Sequence, residues 1–222
     1  MPVPTSAEIL AFTDKLSSVA GGPFSTDQGT PATINIYDAK GKAYAWKADA
    51  DIDSDGLAAN GQPNPRSLTD PWFQPMTSAT NKGHYMDPEA DSFFVIPVPS
   101  SKFDYNSAGI KLGAVGAVVY NGKVVYGTFA DAGPSNIIGE MSMEMADRLG
   151  IDSDPRYGGV SSGVTYVAFK GAGAVPKDLQ NQAEIDALGK KLMADLLSGS
   201  SSTPNPTTPN QPVPPPETVP GK

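Results

Sequence analysis

The first twenty residues have the polar and apolar spacing of a capped helix. Thr5 and Glu8, in the segment "TSAE", have the spacing of a capping box, in which each side chain accepts a free backbone N–H of the first turn. Apolar residues then follow at intervals of three and four positions: Ile9, Phe12, Leu16 and Val19. The pattern predicts a helix that begins after Thr5 and ends before the "GGP" at 21–23.

Beyond residue 30 the spacing changes to that of short strands. The segments "TINIYD" (33–38) and "AYAWKADADI" (43–52) alternate apolar and polar residues, and "FFVIPV" (93–98) is a short apolar run. Asn121-Gly122 joins two further apolar runs. This dipeptide favours a two-residue hairpin turn, because both of its residues tolerate a positive φ.

The second half of the chain adds helices to this pattern. Helices are predicted at "SMEMADRL" (142–149) and over about 178–197, with a strand at "GVTYVAFKG" (163–171) between them. In the last helix the apolar residues share one face: Ile185, Leu188, Leu192 and Leu196. The fold class is therefore expected to be mainly β with flanking helices (α+β).

Four segments follow from this pattern. Residues 1–30 form an N-terminal helix and lead-in, 31–175 the strand-rich domain, and 176–197 a C-terminal helix packed on that domain. Residues 198–222 are rich in Pro, Thr and Ser with almost no apolar residue, which predicts a disordered linker or tail. Such tracts often tether catalytic domains to binding modules in secreted polysaccharide-degrading enzymes. A tail without a further module fits equally well.

Composition excludes several kinds of chemistry. The 222 residues carry a formal net charge of −8, which disfavours nucleic acid because its phosphates need lysine and arginine. The absence of cysteine excludes disulfides, thiolate catalysis and Cys-bound zinc, and the single His84 excludes a His-pair metal site. No apolar run approaches the roughly 20 residues of a membrane helix. We expect no membrane, no bound metal and no cofactor, so an enzyme on this chain would depend on carboxylates.

Two acids stand out in "GTFADAGPSNIIGEMSMEMADRLGI" (127–151). Asp131 and Glu140 lie nine positions apart around Gly133-Pro134, with no positive charge between them. Such a turn can bring both carboxyls to one side of a groove. Glycoside hydrolysis needs two carboxyls of this kind, one that keeps its proton and one that is ionised. The spacing alone favours the simpler interpretation, a turn aspartate and a surface glutamate.

A second acidic cluster lies at "DADIDSDG", with carboxylates at alternate positions: Asp49, Asp51, Asp53 and Asp55. Asp51 to Gly56 match the start of an EF-hand calcium loop, but the twelfth position is Gln62 rather than glutamate, and the segment before the match looks like a strand. Calcium binding, a solvated acidic turn and a cleft for a cationic ligand remain open on these residues.

Several motifs, in order, resemble those of the fungal-type chitosanases, glycoside hydrolase family seventy-five. They are "YAWKADADIDSDG", "YMDPEADSFFVIPVP", "GAVVYNGKVVYGTFADAGP" and "GGVSSGVTYVAF", and they fall within residues 33–170. The resemblance implies endo-acting, inverting cleavage of β-1,4 bonds between glucosamine units of chitosan, with Asp131 and Glu140 as the essential acids. Fungal members often carry cysteines, one of them where this chain has Ser54.

The segment from Asp131 to Glu140 also resembles the ψ-loop of double-psi β-barrels, which occur in expansins, lytic transglycosylases and family forty-five endoglucanases. This likeness implies a six-stranded double-psi β-barrel-like core at 31–175, with Glu140 as the general acid. Asp131 would be the base or would position it. An acid of the 49–55 loop remains an alternative for the base.

The resemblance also implies a partner. Chitosan is a polycation, so Asp49, Asp51, Asp53 and Asp55 are expected to bind its amines, while Trp46 and Tyr157 stack on its sugars. We expect a secreted, extracellular monomer, although "MPVPTSAEIL" has no signal-peptide pattern. Two other functions remain open: a peptidoglycan lytic transglycosylase on the same barrel, and a non-catalytic, expansin-like carbohydrate-binding module.

Overall fold

A computed structural model describes residues 2–199, which form ten strands and three α-helices. The strands are β1 Val19–Phe24, β2 Ile34–Ala39, β3 Ala43–Asp53, β4 Thr80–Asn81, β5 His84–Tyr85, β6 Phe93–Pro97, β7 Val115–Tyr120, β8 Lys123–Gly133, β9 Glu140–Ser142 and β10 Val160–Phe169. The helices are α1 Ser6–Thr13, α2 Met143–Leu149 and α3 Gln182–Ser198.

Six of the strands close into a barrel. They pair in the order β3, β10, β7, β8, β6 and β9, and β9 pairs with β3 again. Most neighbours are antiparallel, but β6 runs parallel to β8 and β9 parallel to β3. We call the short closing pairing, Asp51–Asp53 against Glu140–Ser142, the seam. This closed barrel with helices around it confirms the mainly β, α+β class predicted from the sequence.

The alternation of β3 fixes which side chains enter the core. Trp46, Ala48, Ala50 and Ile52 are all buried. Trp46 stacks on Tyr166 of β10, with ring centroids 5.3 Å apart and planes within 6° of parallel. Such a pair adds about 0.5–1.5 kcal/mol beyond the area it buries. Because side chains alternate along a strand, the aspartates of β3 must lie on its other face.

The helices cover the barrel as the apolar spacing predicted. Ile185, Met193 and Leu196 of α3 join the same hydrophobic core as the barrel strands. Thr5 and Glu8 form the predicted capping box, and Asn121 and Gly122 take φ values of 44° and 79° in the predicted hairpin turn. None of the described helices is long and apolar enough to cross a membrane.

The N-terminal helix is shorter than predicted. It ends at Thr13, and Val19 lies in β1, where it pairs with Tyr37 instead of continuing the helical face. Backbone hydrogen bonds close tight turns after Thr13, and these turns change the direction of the chain. The backbone groups of β1 then form hydrogen bonds with the edge of β2. At the other end, α3 begins at Gln182, capped by Asn181, and ends at Ser198. The predicted linker or tail at 198–222 lies, from residue 200 onward, outside the described residues.

Candidate active site

The outer face of β3 presents a row of carboxyls. Asp49, Asp51 and Asp53 occupy alternate positions and so share the face opposite to Trp46. At the seam, Asp51 lies directly beside Glu140 of β9. We call this surface, with Asp49, Asp51, Asp53 and Glu140, the acidic face. The barrel thus brings two acidic segments of the sequence together that are almost ninety positions apart.

Asp131 reaches the same region from the end of β8. The pairing of β6 with β8 shifts register between Phe94 and Val95, so that Val95 pairs with Asp131. The chain then turns through Gly133-Pro134 and returns as β9. A Cβ atom at Gly133 would lie 3.1 Å from Oε2 of Glu140, so the glutamate packs against the backbone of the turn. The Gly-Pro turn therefore places Glu140 close to the strand that carries Asp131.

Glu140 has the environment of a carboxyl that keeps its proton. Burial is the main cause that raises its pKa to about 8, and the charges of Asp51 and Asp131 add to the effect. None of the groups that shift this pKa is a cation. Among the described residues, none donates a hydrogen bond to its side chain. At neutral pH Glu140 is therefore mainly protonated and can donate.

Asp131 has the opposite environment. Its Oδ1 accepts hydrogen bonds from the backbone N–H of Ser78 at 2.8 Å, from the Ser78 hydroxyl at 2.6 Å and from the backbone N–H of Ala132 at 2.8 Å. These donors fix the orientation of the carboxylate and require Oδ1 to act as an acceptor. The two acids thus differ in their surroundings: hydrogen-bond donors hold Asp131, whereas none of the described residues donates to the side chain of Glu140.

Asp53 and Asp55 complete a cluster with Asp131. One carboxylate oxygen of each lies within 4.8 Å of the others. Asp53 is 5% exposed, and burial, followed by the charges of Glu140 and Asp131, raises its pKa well above the ordinary value. Burial also raises the pKa of Asp55 to about 7, although the N–H of Gln74 donates to its Oδ1. The raised pKa values of Asp53 and Asp55 favour their protonated forms.

A second trio of carboxyls includes a residue that no sequence motif singles out. Oxygens of Asp27, Asp49 and Asp51 also lie within 4.8 Å of one another. Burial and then Asp51 raise the pKa of Asp49 to about 7, while loss of water and then Asp27 raise the pKa of Asp51 to about 6. In the sequence, Asp27 lies in a loop with no other acid nearby. Only the folded structure shows that it belongs to the site.

The two trios show that residues 51–56 do not form an EF-hand loop. Asp51 and Asp53 lie within strand β3, and they belong to separate trios. An EF-hand requires its first three acids to wrap around one ion. Either trio presents three oxygens to a cation, but the calcium loop considered from the sequence is not the structure formed here.

The aromatic residues named from the sequence lie in different surroundings. Trp46 is 1% exposed and packs in the core, so its predicted stacking on sugars is wrong. Tyr157 is 78% exposed, in a loop that continues to Gly159, whose backbone packs against β3 at Ala50. A further aromatic residue, Trp72, is 83% exposed and donates its backbone N–H to Asp70. Strand alternation could have excluded Trp46, because its neighbours at alternate positions are apolar.

The site contains a glutamate that is favoured in its protonated form, and close to it an aspartate held by hydrogen-bond donors. Glycoside hydrolases use a pair of carboxyls of this kind. The family model described as fungal chitosanase of glycosyl hydrolase group 75 matches residues 50–196. The chain belongs to this family of glycoside hydrolases.

Curated relatives agree with this membership. An Endo-chitosanase C of Aspergillus oryzae is 32% identical over 172 residues, which are 72% of this chain and 41% of that protein. An Endo-chitosanase C from a second Aspergillus oryzae source is 31% identical over 176 residues, with the same shares of the two chains. The chain therefore spans about two fifths of the length of these relatives.

Proposed function

We propose that this domain is an endo-acting chitosanase, which hydrolyses β-1,4 bonds between glucosamine residues of chitosan. The observation that carries the proposal is the contrast between two neighbouring acids: Glu140 lacks a hydrogen-bond donor among the described residues, while Asp131 is held by three. The names of the two Aspergillus relatives support chitosan as the substrate. Because the substrate is a large extracellular polymer, we also propose a secreted enzyme, which acts as a monomer.

In the proposed mechanism, Glu140 gives its proton to the oxygen of the glycosidic bond as that bond to the anomeric carbon breaks. A water molecule on the opposite face of the sugar loses a proton to Asp131 and forms the new bond to the anomeric carbon. One bond is broken and one is formed, with inversion of configuration. Glu140 ends ionised and Asp131 protonated, and exchange with solvent restores both.

Asp131 is a better candidate for the catalytic base than the acids of the 49–55 loop. Asp53 is buried, and its raised pKa favours the protonated form, which cannot accept a proton from water. Asp131 is only half-buried, and its donors all bind Oδ1, which leaves Oδ2 available to a water molecule. In this proposal Asp53 and Asp55 lie around the base, whereas Asp131 contacts the reacting water.

The acidic face provides selectivity for a cationic polymer. Burial and neighbouring carboxylates raise the pKa values of its four acids, and no lysine or arginine counteracts them: Asp49, Asp51, Asp53 and Glu140. Protonated amines of chitosan would supply the missing positive charge, which neutral polymers cannot do. Trp72 and Tyr157 are exposed enough to stack on sugar rings at the edges of this face.

The direct test is the release of reducing ends from chitosan, chitin and carboxymethylcellulose in parallel. We expect rapid release from chitosan and little from the two other polymers. Rapid loss of viscosity at few cleavages would support endo action. Products with anhydro ends would indicate a lytic transglycosylase instead. Binding to polysaccharide without any cleavage would indicate a non-catalytic module, and either result would overturn the proposal.

A further inference from the structure

We propose that Asp27, Asp49 and Asp51 form a subsite for one protonated sugar amine, next to the bond that is cleaved. We call these three residues the amine trio. The inference rests on the proposed chitosanase function and makes it more specific, because it assigns the recognition of a free amine, as opposed to an acetylated one, to three residues. Asp27 thereby gains a role that its isolated position in the sequence did not suggest.

The spacing of the amine trio fits an ammonium group. Three equally spaced oxygens within 4.8 Å of one another surround a central point at no more than about 2.8 Å from each, which is within reach of the roughly 2.7–2.9 Å charge-assisted N–H···O bond. An ammonium has three N–H donors and no acceptor, so its donors match the three carboxylates in number. Calcium takes about six to eight oxygen ligands. The trio contains three ligand residues, as many as an ammonium has N–H donors, which favours the ammonium.

Asp49 supplies the independent sign that a ligand is expected here. Its side chain is 3% exposed, and its Oδ1 is buried with no hydrogen-bond partner among the described residues. A buried carboxylate oxygen without a donor is costly unless a ligand satisfies it. Gly139 permits this arrangement, because a Cβ atom there would lie only 2.0 Å from Oδ1 of Asp49. The backbone is thus shaped around a carboxylate oxygen that the described residues leave unsatisfied.

The amine trio is attached directly to the segment that carries the general acid. Ser25 donates its N–H to the carbonyl of Asn136 and accepts the N–H of Ile138 at its own carbonyl. These bonds hold the loop of Asp27 against the turn that leads into Glu140. Asp51 lies beside Glu140 at the seam. A sugar whose amine occupies the trio would therefore be adjacent to the sugar whose bond receives the proton of Glu140.

An acetylated amine would be a poor ligand for the same three residues. An amide nitrogen carries no charge and only one N–H, so it would satisfy one carboxylate and leave two without a donor. Its acetyl group would also displace water from those two. A carboxylate that loses its water without gaining a hydrogen-bond donor costs free energy, and this cost disfavours binding of the acetylated ligand. The trio therefore selects glucosamine at this position.

Binding to an inactive background tests the proposal. In the full chain with Glu140→Gln, calorimetry would compare a glucosamine hexamer with an N-acetylglucosamine hexamer, before and after Asp27→Asn. Asp27 is exposed, so its replacement should leave the fold intact. We expect Asp27→Asn to weaken binding of the glucosamine hexamer about five- to tenfold, and to leave the weaker binding of the acetylated hexamer unchanged. Asp51→Asn should give the same pattern.

Asp195→Asn is the matched control, since it removes one negative charge from an ion pair with Lys191 on α3. It should change neither affinity. An equal affinity loss with Asp195→Asn, or none with Asp27→Asn and Asp51→Asn, would overturn the proposal. Stabilisation of the wild-type chain by calcium, reversed by EDTA and absent from Asp27→Asn, would also overturn it in favour of a metal site. If the wild-type chain cleaves no chitosan yet the affinities change as expected, the proposed function fails and the subsite stands.

Discussion

The two acids to which we assign the transfer of protons, Glu140 and Asp131, differ in their neighbours. Glu140 is surrounded by other carboxyls and receives no donor from the described residues, so its neutral form is favoured. Asp131 receives two bonds from Ser78 and one from Ala132, so Oδ1 is an acceptor. In the proposed mechanism, one carboxyl is thus the acid and the other the base, and the Gly133-Pro134 turn brings the two close together.

The proposed role of Glu140 as the general acid predicts how Glu140→Gln changes activity. The amide has the shape of the acid but cannot transfer a proton, so we expect the turnover of chitosan to fall about 10³-fold or more. The melting temperature should not fall, because no described residue donates a hydrogen bond to the Glu140 side chain that the amide would lose. Initial rates and thermal unfolding would measure both. Glu144→Gln, at the start of α2, is the control and should retain its activity. If Glu140→Gln keeps more than a tenth of wild-type turnover, Glu140 is not the general acid.

The tight contact at Gly139 predicts a second effect. Gly139 has a φ of 123°, and a Cβ atom there would lie 2.0 Å from Asp49 Oδ1. Gly139→Ala should therefore destabilise the fold by about 1–3 kcal/mol and displace Asp49. Denaturant unfolding would measure the free energy. Gly173→Ala is the control, because a Cβ atom at Gly173 has no neighbour within 4 Å. Equal stability of the two variants would mean that the turn at Gly139 readily rearranges.

At the level of strands and helices, the sequence pattern correctly predicted those features that depend on interactions between residues close together in the chain. The hairpin at Asn121-Gly122, the capping box at Thr5 and the alternation of β3 all depend on near neighbours in sequence, and the structure confirms them. The motifs around Asp131 and Glu140 also indicated the family correctly. Each of these features follows from residues within a short stretch of chain, so the sequence alone is enough to predict it.

Other features depend on contacts between distant segments, which a single sequence does not reveal. Val19 continues the apolar spacing of α1 but pairs with Tyr37 in a sheet. Trp46 resembled a sugar-binding aromatic, yet the stack with Tyr166 keeps it in the core. Asp27 joins Asp49 and Asp51 only because Ser25 binds the turn before Glu140. Tertiary contacts decided each of these cases.

The turn between β8 and β9 also bears on stereochemistry. If Asp131 activates water on the face of the sugar opposite Glu140, the first products must have α configuration at the new reducing end. Proton NMR of glucosamine oligomers within the first minutes of reaction would show α anomers before mutarotation. Early β anomers would mean that a carboxylate attacks the sugar directly, and would exclude the inverting mechanism proposed for this pair.

At the scale of the whole molecule, the raised pKa values predict how stability depends on pH. The folded pKa values are about 6 for Asp51, about 7 for Asp49 and Asp55, and about 8 for Glu140, all above their ordinary values of 3.8 for aspartate and 4.5 for glutamate. The folded state therefore holds protons that the unfolded chain has released. This contribution to the free energy of unfolding is complete below about pH 4 and is lost as pH rises through about 8.

We therefore expect the melting temperature to be several degrees higher at about pH 5 than at about pH 8. Thermal unfolding followed by circular dichroism, at constant ionic strength, would measure it. Glu140→Gln should reduce the difference between the two values, while Glu144→Gln should reduce it less. A melting temperature that rises from pH 5 to pH 8 would show that these carboxyls are ionised in the folded state. Activity should also fall above about pH 8, as Glu140 loses its proton.

The seam joins strands that are far apart along the chain, since Asp51 pairs with Glu140 and Asp53 with Ser142. Long-range pairing must overcome the entropy of closing the intervening loop, so a local hairpin such as β7–β8 forms more readily. We expect the carboxyls to meet only when the barrel closes. In a nascent chain they are separate and ionised, as in any acidic peptide. On this expectation Glu140 acquires its proton during the last steps of folding, and the proposed catalytic pair is complete only in the native topology.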